Sequence, residues 1–325
     1  MAAHERGDTI PAPTTAHAVA AARAAGEVML PQRKNRGLWS DAWRRLRKNK
    51  LAVSGLIVIG ILTIIAILAP LLAPYGYRDV VHSGHTNAGP GEAGVLGADN
   101  LGRDVLSRLL YGARISLSVG LVVQLVVVCV GVPLGAIAGF FGGWVDTLIS
   151  RLIDIMYAFP TLLLIVLLSA ALRESPIKQL LGGLFIIFIA IGLSSWVGDA
   201  RLMRGQIISL KDREYVEAAR ALGAKPVRIL VKHLIPNALG PILVSVTFGI
   251  PGAIFAEAAL SYLGIGVIPP TPSWGAMIND GQQAIFYSPS QVIFPGLAIA
   301  ITMLSFTFLG DGLRDALDPR GKRGA

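Results

Sequence analysis

Four ionisable side chains lie in or beside long apolar stretches of this sequence, where an unpaired charge is costly and marks a candidate functional residue. Arg151 and Asp154 are three residues apart and can form an ion pair on one helix near a membrane surface. Asp199 and its nearest cation, Arg201, point to different helix faces, so we expect water to solvate Asp199. Glu257 has no cation close to it in the sequence, which leaves two roles open: lining a polar path across the membrane or hydrogen bonding to a neighbouring helix.

The motifs of common catalytic sites are absent from the sequence. No G-x-x-x-x-G-K-[ST] phosphate-binding loop, H-E-x-x-H metal-binding pair or nucleophile elbow occurs. The single cysteine, Cys129, excludes a disulfide framework and a thiol pair for redox chemistry or zinc. We therefore predict no catalytic residue, no metal site and no enzymatic activity in this chain.

Glycine recurs at every fourth residue in one apolar stretch, at Gly131, Gly135, Gly139 and Gly143. On a helix this spacing places the four glycines on one face, where a neighbouring backbone can approach closely. We predict a helix-packing seam here and no ligand site.

A basic segment between two apolar stretches carries the signals of two short helices. Ser209 and Asp212 are spaced for a capping box, and Gly223 is suited to end a helix in the left-handed conformation. The residues between them favour helix and include Glu217, Ala218 and Ala219.

A second helix of this segment can begin at Pro226 and run to Pro236. In the first helix, an apolar face is predicted to contain Tyr215, Val216, Ala219 and Leu222. Two interpretations stay open: the helix pair lies on anionic lipid, or it inserts into the cleft of a partner protein.

Six stretches are long and apolar enough to cross a membrane. Of the 325 residues, 53% are hydrophobic and 15% are charged, against about 25% charged in soluble domains. A span needs about 20 apolar residues to cross a hydrocarbon core of about 30 Å. The stretches are Leu51–Pro74, Ser116–Phe140, Leu152–Leu172, Leu180–Val197, Leu239–Leu263 and Val292–Leu309. We predict an all-α integral membrane protein with six transmembrane helices.

Lysine and arginine cluster before the first stretch, between the fourth and fifth, and after the sixth. Because such residues are retained on the cytoplasmic side, we predict that both termini are cytoplasmic. The net charge of +9 therefore reflects topology, and we predict no nucleic-acid partner.

Two segments fall on the predicted outer side. Residues Asn100–Arg114 have an apolar helical face and an Asp104/Arg108 spacing that suits an ion pair, which predicts a helix lying at the membrane interface. Residues Gly264–Gly275 are rich in proline, which predicts a rigid turn with Trp274 at headgroup depth. Either segment could contact an external partner or be a solvated connector.

Several motifs together resemble one family of transporters. The run Glu217-Ala218-Ala219, followed by Gly223 and by Ile235-Pro236, resembles the EAA loop of ABC importer permeases. Three further stretches are similar to the C-type permease of dipeptide, oligopeptide and nickel importers: Leu96–Gly120, Ser261–Gly275 and Phe294–Arg320. Two positions depart from the general pattern, Ile235 in place of leucine and His233 in place of an apolar residue.

This resemblance implies the six-helix permease fold of a type I ABC importer in a bacterial or archaeal inner membrane. It implies four kinds of partner: a second homologous permease, two ATP-binding subunits or domains, an extracytoplasmic substrate-binding protein and membrane lipid. ATP and Mg would be bound by the partner subunits and no cofactor by this chain. The EAA loop would be the helix that couples to the ATPase, through Glu217, Ala218, Ala219, Gly223 and Pro236.

Di- or oligopeptides are the cargo that the resemblance favours, with nickel chelates, glutathione or oligosaccharides as alternatives. An ion-coupled secondary transporter fits less well, because such proteins place charged sites near the membrane midplane and these stretches have few charges there. The chain is predicted to divide into a disordered leader (1–36), a basic segment with the first span and outer loop (37–110), a core permease domain (111–311) and a cytoplasmic tail (312–325).

Overall fold

A computed structural model of the chain describes residues 38–173, 175–176 and 183–318. The predicted leader, at 1–36, lies outside these ranges, as does the beginning of the predicted fourth span. Within them the regular structure is helical apart from two isolated β-bridges. The helices are α1 (Leu38–Leu46), α2 (Lys50–Leu72), α3 (Val105–Phe141), α4 (Gly143–Ala158), α5 (Thr161–Arg173), α6 (Leu184–Leu210), α7 (Glu214–Ala221), α8 (Pro226–Ile229), α9 (Ile235–Tyr262), α10 (Trp274–Gly281) and α11 (Ser290–Leu317).

Five helical segments of the described chain are long and apolar enough to cross a membrane: α2, α3, α6, the continuous segment Pro226–Tyr262, and α11. The predicted third span is a pair of helices, α4 and α5, bent by 90°. The bend lies at Phe159, whose ψ of 132° is extended, because the following Pro160 disfavours the helical conformation in the residue before it. The prediction of six spans is confirmed if this pair counts as one, but the third is not a single continuous helix.

Two of the predicted domain boundaries fall inside helices. Residue 110 lies within α3 and residue 311 within α11. The helix α3 therefore joins the predicted outer segment to the core without a break.

The helices α3 and α6 pack along each other more extensively than any other helix pair. A Cβ atom at Gly131 or Gly139 would lie 2.7 Å from a carbonyl oxygen of α6, and one at Gly135 would overlap the carbonyl of Ala200. These three glycines allow the two backbones to touch. The prediction for Gly143 is wrong: it follows the end of α3 with a φ of +54°, and a Cβ there would meet nothing within 4 Å.

Candidate functional site

The segment between α6 and α9 begins with the short helix α7. Gly223 ends this helix with a φ of +77°, the left-handed conformation that the sequence predicts, and the N–H of Ala224 donates to the carbonyl of Ala219 at 3.0 Å. The predicted capping box does not form. Ser209 still lies in the last turn of α6, where its hydroxyl donates to the carbonyl of Gln206 at 2.8 Å.

The second short helix does not end at Pro236. Helix α8 continues through one wide π turn, Leu230–Leu234, directly into α9. In this turn the N–H of Ile235 donates to the carbonyl of Leu230, five residues back. Because a proline ring clashes with the carbonyl four residues earlier in a regular helix, the wide turn lets the chain pass Pro236 and continue as α9.

Apolar side chains anchor this segment, which we call the α7–α8 loop (residues 211–234), to the helix bundle. Val216, Ile229 and Leu234 are fully buried against Met203 and Ile207 of α6. The loop is therefore held rigidly at the end of α6 and the beginning of α9.

Other apolar side chains of the α7–α8 loop face outward. Leu222 is 89% exposed, and Val227 and Val231 are more than half exposed. The predicted apolar face of α7 is thus divided, because Val216 turns into the bundle while Leu222 follows the last turn of the helix. Glu217 and Ala218 are exposed as well, and among the described residues the Glu217 carboxylate has no hydrogen-bonding partner.

Glu257 lies inside the bundle and is completely buried. One carboxylate oxygen accepts a hydrogen bond from Ser116 of α3 at 3.3 Å, and the other accepts one from Ser261 of α9 at 2.6 Å. The Ser116 oxygen also accepts the N–H of Trp274, at the beginning of α10, at 3.2 Å. Glu257 therefore sits at the centre of a polar cluster that joins three helices.

Trp274 is buried in the protein, and its predicted position at headgroup depth stays a prediction. Its indole Nε1–H donates to the carbonyl of Leu109 in α3 at 3.2 Å. Ser273 caps α10 by accepting the N–H of Ala276, which fixes the ring at the junction with α3.

A buried ion network lies at the beginning of α3. Asp99 accepts hydrogen bonds from Arg103 at 2.7 Å and from Arg108, and both arginines reach Asp280 of α10, at 3.2 and 2.9 Å. The predicted Asp104/Arg108 ion pair is wrong. Asp104 instead caps α3 through the backbone N–H of Ser107, and Arg108 points to a partner 172 residues away.

Residues 131–323 match the family model of the binding-protein-dependent transport system inner membrane component. The chain belongs to this family. Residues 37–90 also match the N-terminal transmembrane domain of oligopeptide transport permease C. The permease is therefore a multi-pass transport subunit of an ATP-driven importer rather than an enzyme.

Two curated relatives are similar to this permease over most of its length. The oligopeptide transport system permease protein OppC of Bacillus subtilis (strain 168) is 44% identical, over 92% of this chain and 95% of the relative. The dipeptide transport system permease protein DppC of the same strain is 43% identical, over 87% and 86%. The inward-facing methionine ABC transporter MetNI has a similar fold, with a TM-score of 0.50 and 20% identity over 65% of this chain and 96% of that chain.

Two ion pairs connect α4 to α6 in the permease. Arg204 forms a bidentate pair with Asp146, at 2.5 and 2.6 Å, and Arg201 donates to Asp154 at 2.9 Å. The sequence suggested that Asp154 pairs with Arg151, but Asp154 pairs with an arginine of another helix. These pairs tie the first arm of the bent span to the helix that leads into the α7–α8 loop.

Asp199 is only 7% exposed, so the expectation that water solvates it is wrong. The sequence places it at the end of an apolar stretch, but α6 continues to Leu210 and leaves Asp199 near the middle of the helix. The Cβ of Asp199 packs against Gly131 in the α3–α6 seam.

Proposed function

We propose that this permease forms half of the translocation pathway of an importer of di- or oligopeptides. The family places it in an ATP-driven importer, and two relatives of more than 40% identity are oligopeptide and dipeptide permeases. In this proposal a second homologous permease completes the pathway, a substrate-binding protein delivers the cargo, and two ATPase subunits bind ATP and Mg on the side of the α7–α8 loop.

The proposal that the α7–α8 loop is the ATPase-coupling site rests on the exposure of Leu222. Burying an apolar side chain contributes about 1.5–3 kcal/mol, and a helix end that leaves one in water has a surface to offer a partner. Leu222, Val227 and Val231 would fill a groove of the ATPase, with Glu217 bonding to basic or backbone groups at its rim. Ala218 and Ala219 would allow close approach.

The rigid attachment of the loop explains how it could transmit motion. The buried residues Val216, Ile229 and Leu234 fix the loop to both α6 and α9, so a displacement by the ATPase would move both helices as one body. The two ion pairs from α6 to α4 would extend this motion to the bent span. Gly223 and the π turn before Pro236 set the shape of the α7–α8 loop, which acts in this proposal as a lever.

Crosslinking tests the coupling site. In the assembled transporter, with Cys129 replaced by serine, Leu222→Cys should crosslink to an ATPase subunit with a short bifunctional reagent. Ile57→Cys is the matched control, because Ile57 is also an exposed apolar residue but lies on α2. Persistent absence of a crosslink from Leu222 would contradict the coupling site and favour the alternative, that the loop is a hairpin lying on lipid.

Uptake measurements test the cargo. Cells that lack other peptide importers and express the complete transporter should accumulate labelled di- or oligopeptides, and deletion of this permease should abolish the uptake. The purified substrate-binding protein should bind members of a peptide panel. An exclusive preference of that protein for a nickel chelate would overturn the peptide assignment and leave the coupling site untouched.

A further inference from the structure

Asp199 is a buried carboxylate that pairs with no cation among the described residues. In the part of the chain that the structure describes, its Oδ1 atom has no hydrogen-bonding partner, and the carboxylate lies beside the hydroxyl of Ser245 in α9. A charge buried among apolar helices is costly unless something compensates it, and such residues in membrane proteins commonly mark pathways for ions or substrates.

The nearest cations along α6 are already engaged. Arg201 pairs with Asp154, and Arg204 forms its bidentate pair with Asp146. Both carboxylates belong to α4, so neither arginine is available to Asp199. Among the described residues, Asp199 forms no ion pair with either of them or with any other cation.

A second unpartnered oxygen faces the same helix. Gln124 of α3 is 5% exposed, and its Oε1 atom has no hydrogen-bonding partner in the described ranges. Its amide fits where Gly249 of α9 has no side chain, since a Cβ there would lie 2.5 Å from the amide group. Ser245 and Gly249 are four residues apart and therefore lie on one face of α9, about 6 Å apart along the helix axis.

Three polar groups at residues 245–249 of α9 make up what we call the acceptor notch: Gln124 of α3, Asp199 of α6 and Ser245 of α9. Its carboxylate and amide oxygens accept hydrogen bonds, and the carboxylate carries one negative charge when ionised. The complementary ligand is a monovalent cation that donates several N–H groups. A bound metal is a poorer match, because the described residues contain no group of three histidine, cysteine or acidic side chains that could hold one.

We propose that the acceptor notch is a transit site for the ammonium group of the cargo. This inference rests on the proposed function, because a di- or oligopeptide carries such a group at its N-terminus. The notch borders residues 243–249 of α9, all of which are partly exposed. A cargo moving between this permease and its partner permease would reach the notch from that side.

Charge-selective thiol labelling tests the notch directly. In the assembled transporter with Cys129 replaced by serine, Ser245→Cys should react about tenfold faster with cationic aminoethyl methanethiosulfonate than with anionic sulfonatoethyl methanethiosulfonate, because Asp199 attracts the cation. Adding Asp199→Asn should remove most of this preference. The control is Val95→Cys, exposed in the segment between α2 and α3, whose ratio should not change with Asp199→Asn.

An equal rate for the two reagents at Ser245→Cys, or a preference that survives Asp199→Asn, would overturn the proposal that the notch binds a cation. Peptide uptake gives the second readout: Asp199→Asn should lower it about tenfold, while Asp199→Glu should retain a larger part. Uptake equal to that of the unmodified transporter would also overturn the proposal. If the unmodified transporter imports no peptide at all, the proposed function fails, and the labelling ratio still decides whether the notch binds cations.

Discussion

The two ends of the helix bundle differ in which side chains they bury and which they expose. At the beginning of α3, the charged groups of Asp99, Arg103 and Arg108 are buried and bonded to one another and to Asp280. At the end of α6, the α7–α8 loop leaves Leu222 in water and the carboxylate of Glu217 without a partner in the described chain. One end buries charge and the other exposes apolar surface.

This difference indicates which of the two features, the ion network or the loop, is complete within one chain. Buried charges are tolerated only when other groups of the same structure satisfy them, so the network at the beginning of α3 is part of the fold. Exposed apolar side chains on a rigid support gain free energy when a partner covers them, so the loop is a surface for assembly. Substitutions at the first end should therefore reduce stability, and substitutions at the second should reduce transport.

Arg108→Met should have the largest effect on stability. It leaves Asp99 and Asp280 with one arginine between them, and removal of one partner from a buried ion network costs about 3–5 kcal/mol. The free energy of unfolding in detergent micelles measures this loss. Arg114→Met is the control, because Arg114 is exposed six residues later in the same helix. A loss below about 1 kcal/mol at Arg108 would mean that the network is not part of the fold's stability.

The sequence could predict features that depend on local patterns. Length and hydropathy predict the spans, since a helix that crosses the membrane must be apolar for about 20 residues. The spacing of Gly131, Gly135 and Gly139 predicts one helix face, and the structure places α6 against it. Gly223 is predictable because few other residues adopt a positive φ at a helix end.

Features that depend on distant contacts could not be predicted in this way. Arg108 pairs with Asp280, 172 residues on, and with Asp99, nine residues back, and neither has the i,i+4 spacing that predicts a pair with Asp104. Asp154 likewise pairs with Arg201, 47 residues on, instead of Arg151. Gly143 continued a four-residue spacing that is meaningful only while the helix lasts, and α3 ends at Phe141.

Gly135→Val should have the next largest effect. Its side chain would overlap the Ala200 carbonyl and force α3 and α6 apart, and overpacking of this kind costs up to about 3 kcal/mol. Gly205→Val is the matched control, since a Cβ at Gly205 meets nothing within 4 Å. Equal unfolding free energies for the two variants would show that the α3–α6 seam is not close-packed.

Glu257→Leu should cost somewhat less, about 2 kcal/mol, because it leaves the buried hydroxyls of Ser116 and Ser261 without their acceptor. Glu257→Gln keeps an oxygen in place and should recover part of the loss. The same unfolding measurement applies. If both variants retain full stability but lose peptide uptake, Glu257 belongs to the pathway, which was the other role open to it.

Gly223→Val should reduce stability by only about 1–2 kcal/mol, the cost of holding a side chain in the left-handed region. No atom obstructs a Cβ there, so the penalty lies in the backbone alone. The strain should reshape the end of α7 and uncouple ATP hydrolysis from uptake, measured together in proteoliposomes. Gly240→Val is the control, because a Cβ at Gly240, in α9, also meets nothing and its φ is not positive. Unchanged transport would show that Gly223 has no role in coupling ATP hydrolysis to uptake.

Leu222→Ser should change stability least, by less than about 0.5 kcal/mol, because an exposed side chain contributes little to the fold. It should nevertheless reduce uptake and ATPase binding strongly, since the lost side chain is the one that the partner would bury. Val216→Ser, in the same helix but fully buried, should show the reverse order, with a large loss of stability before any specific loss of binding. If Leu222→Ser instead destabilises the chain and leaves ATPase binding intact, the loop is part of the fold, and the contrast between the two ends of the bundle is wrong.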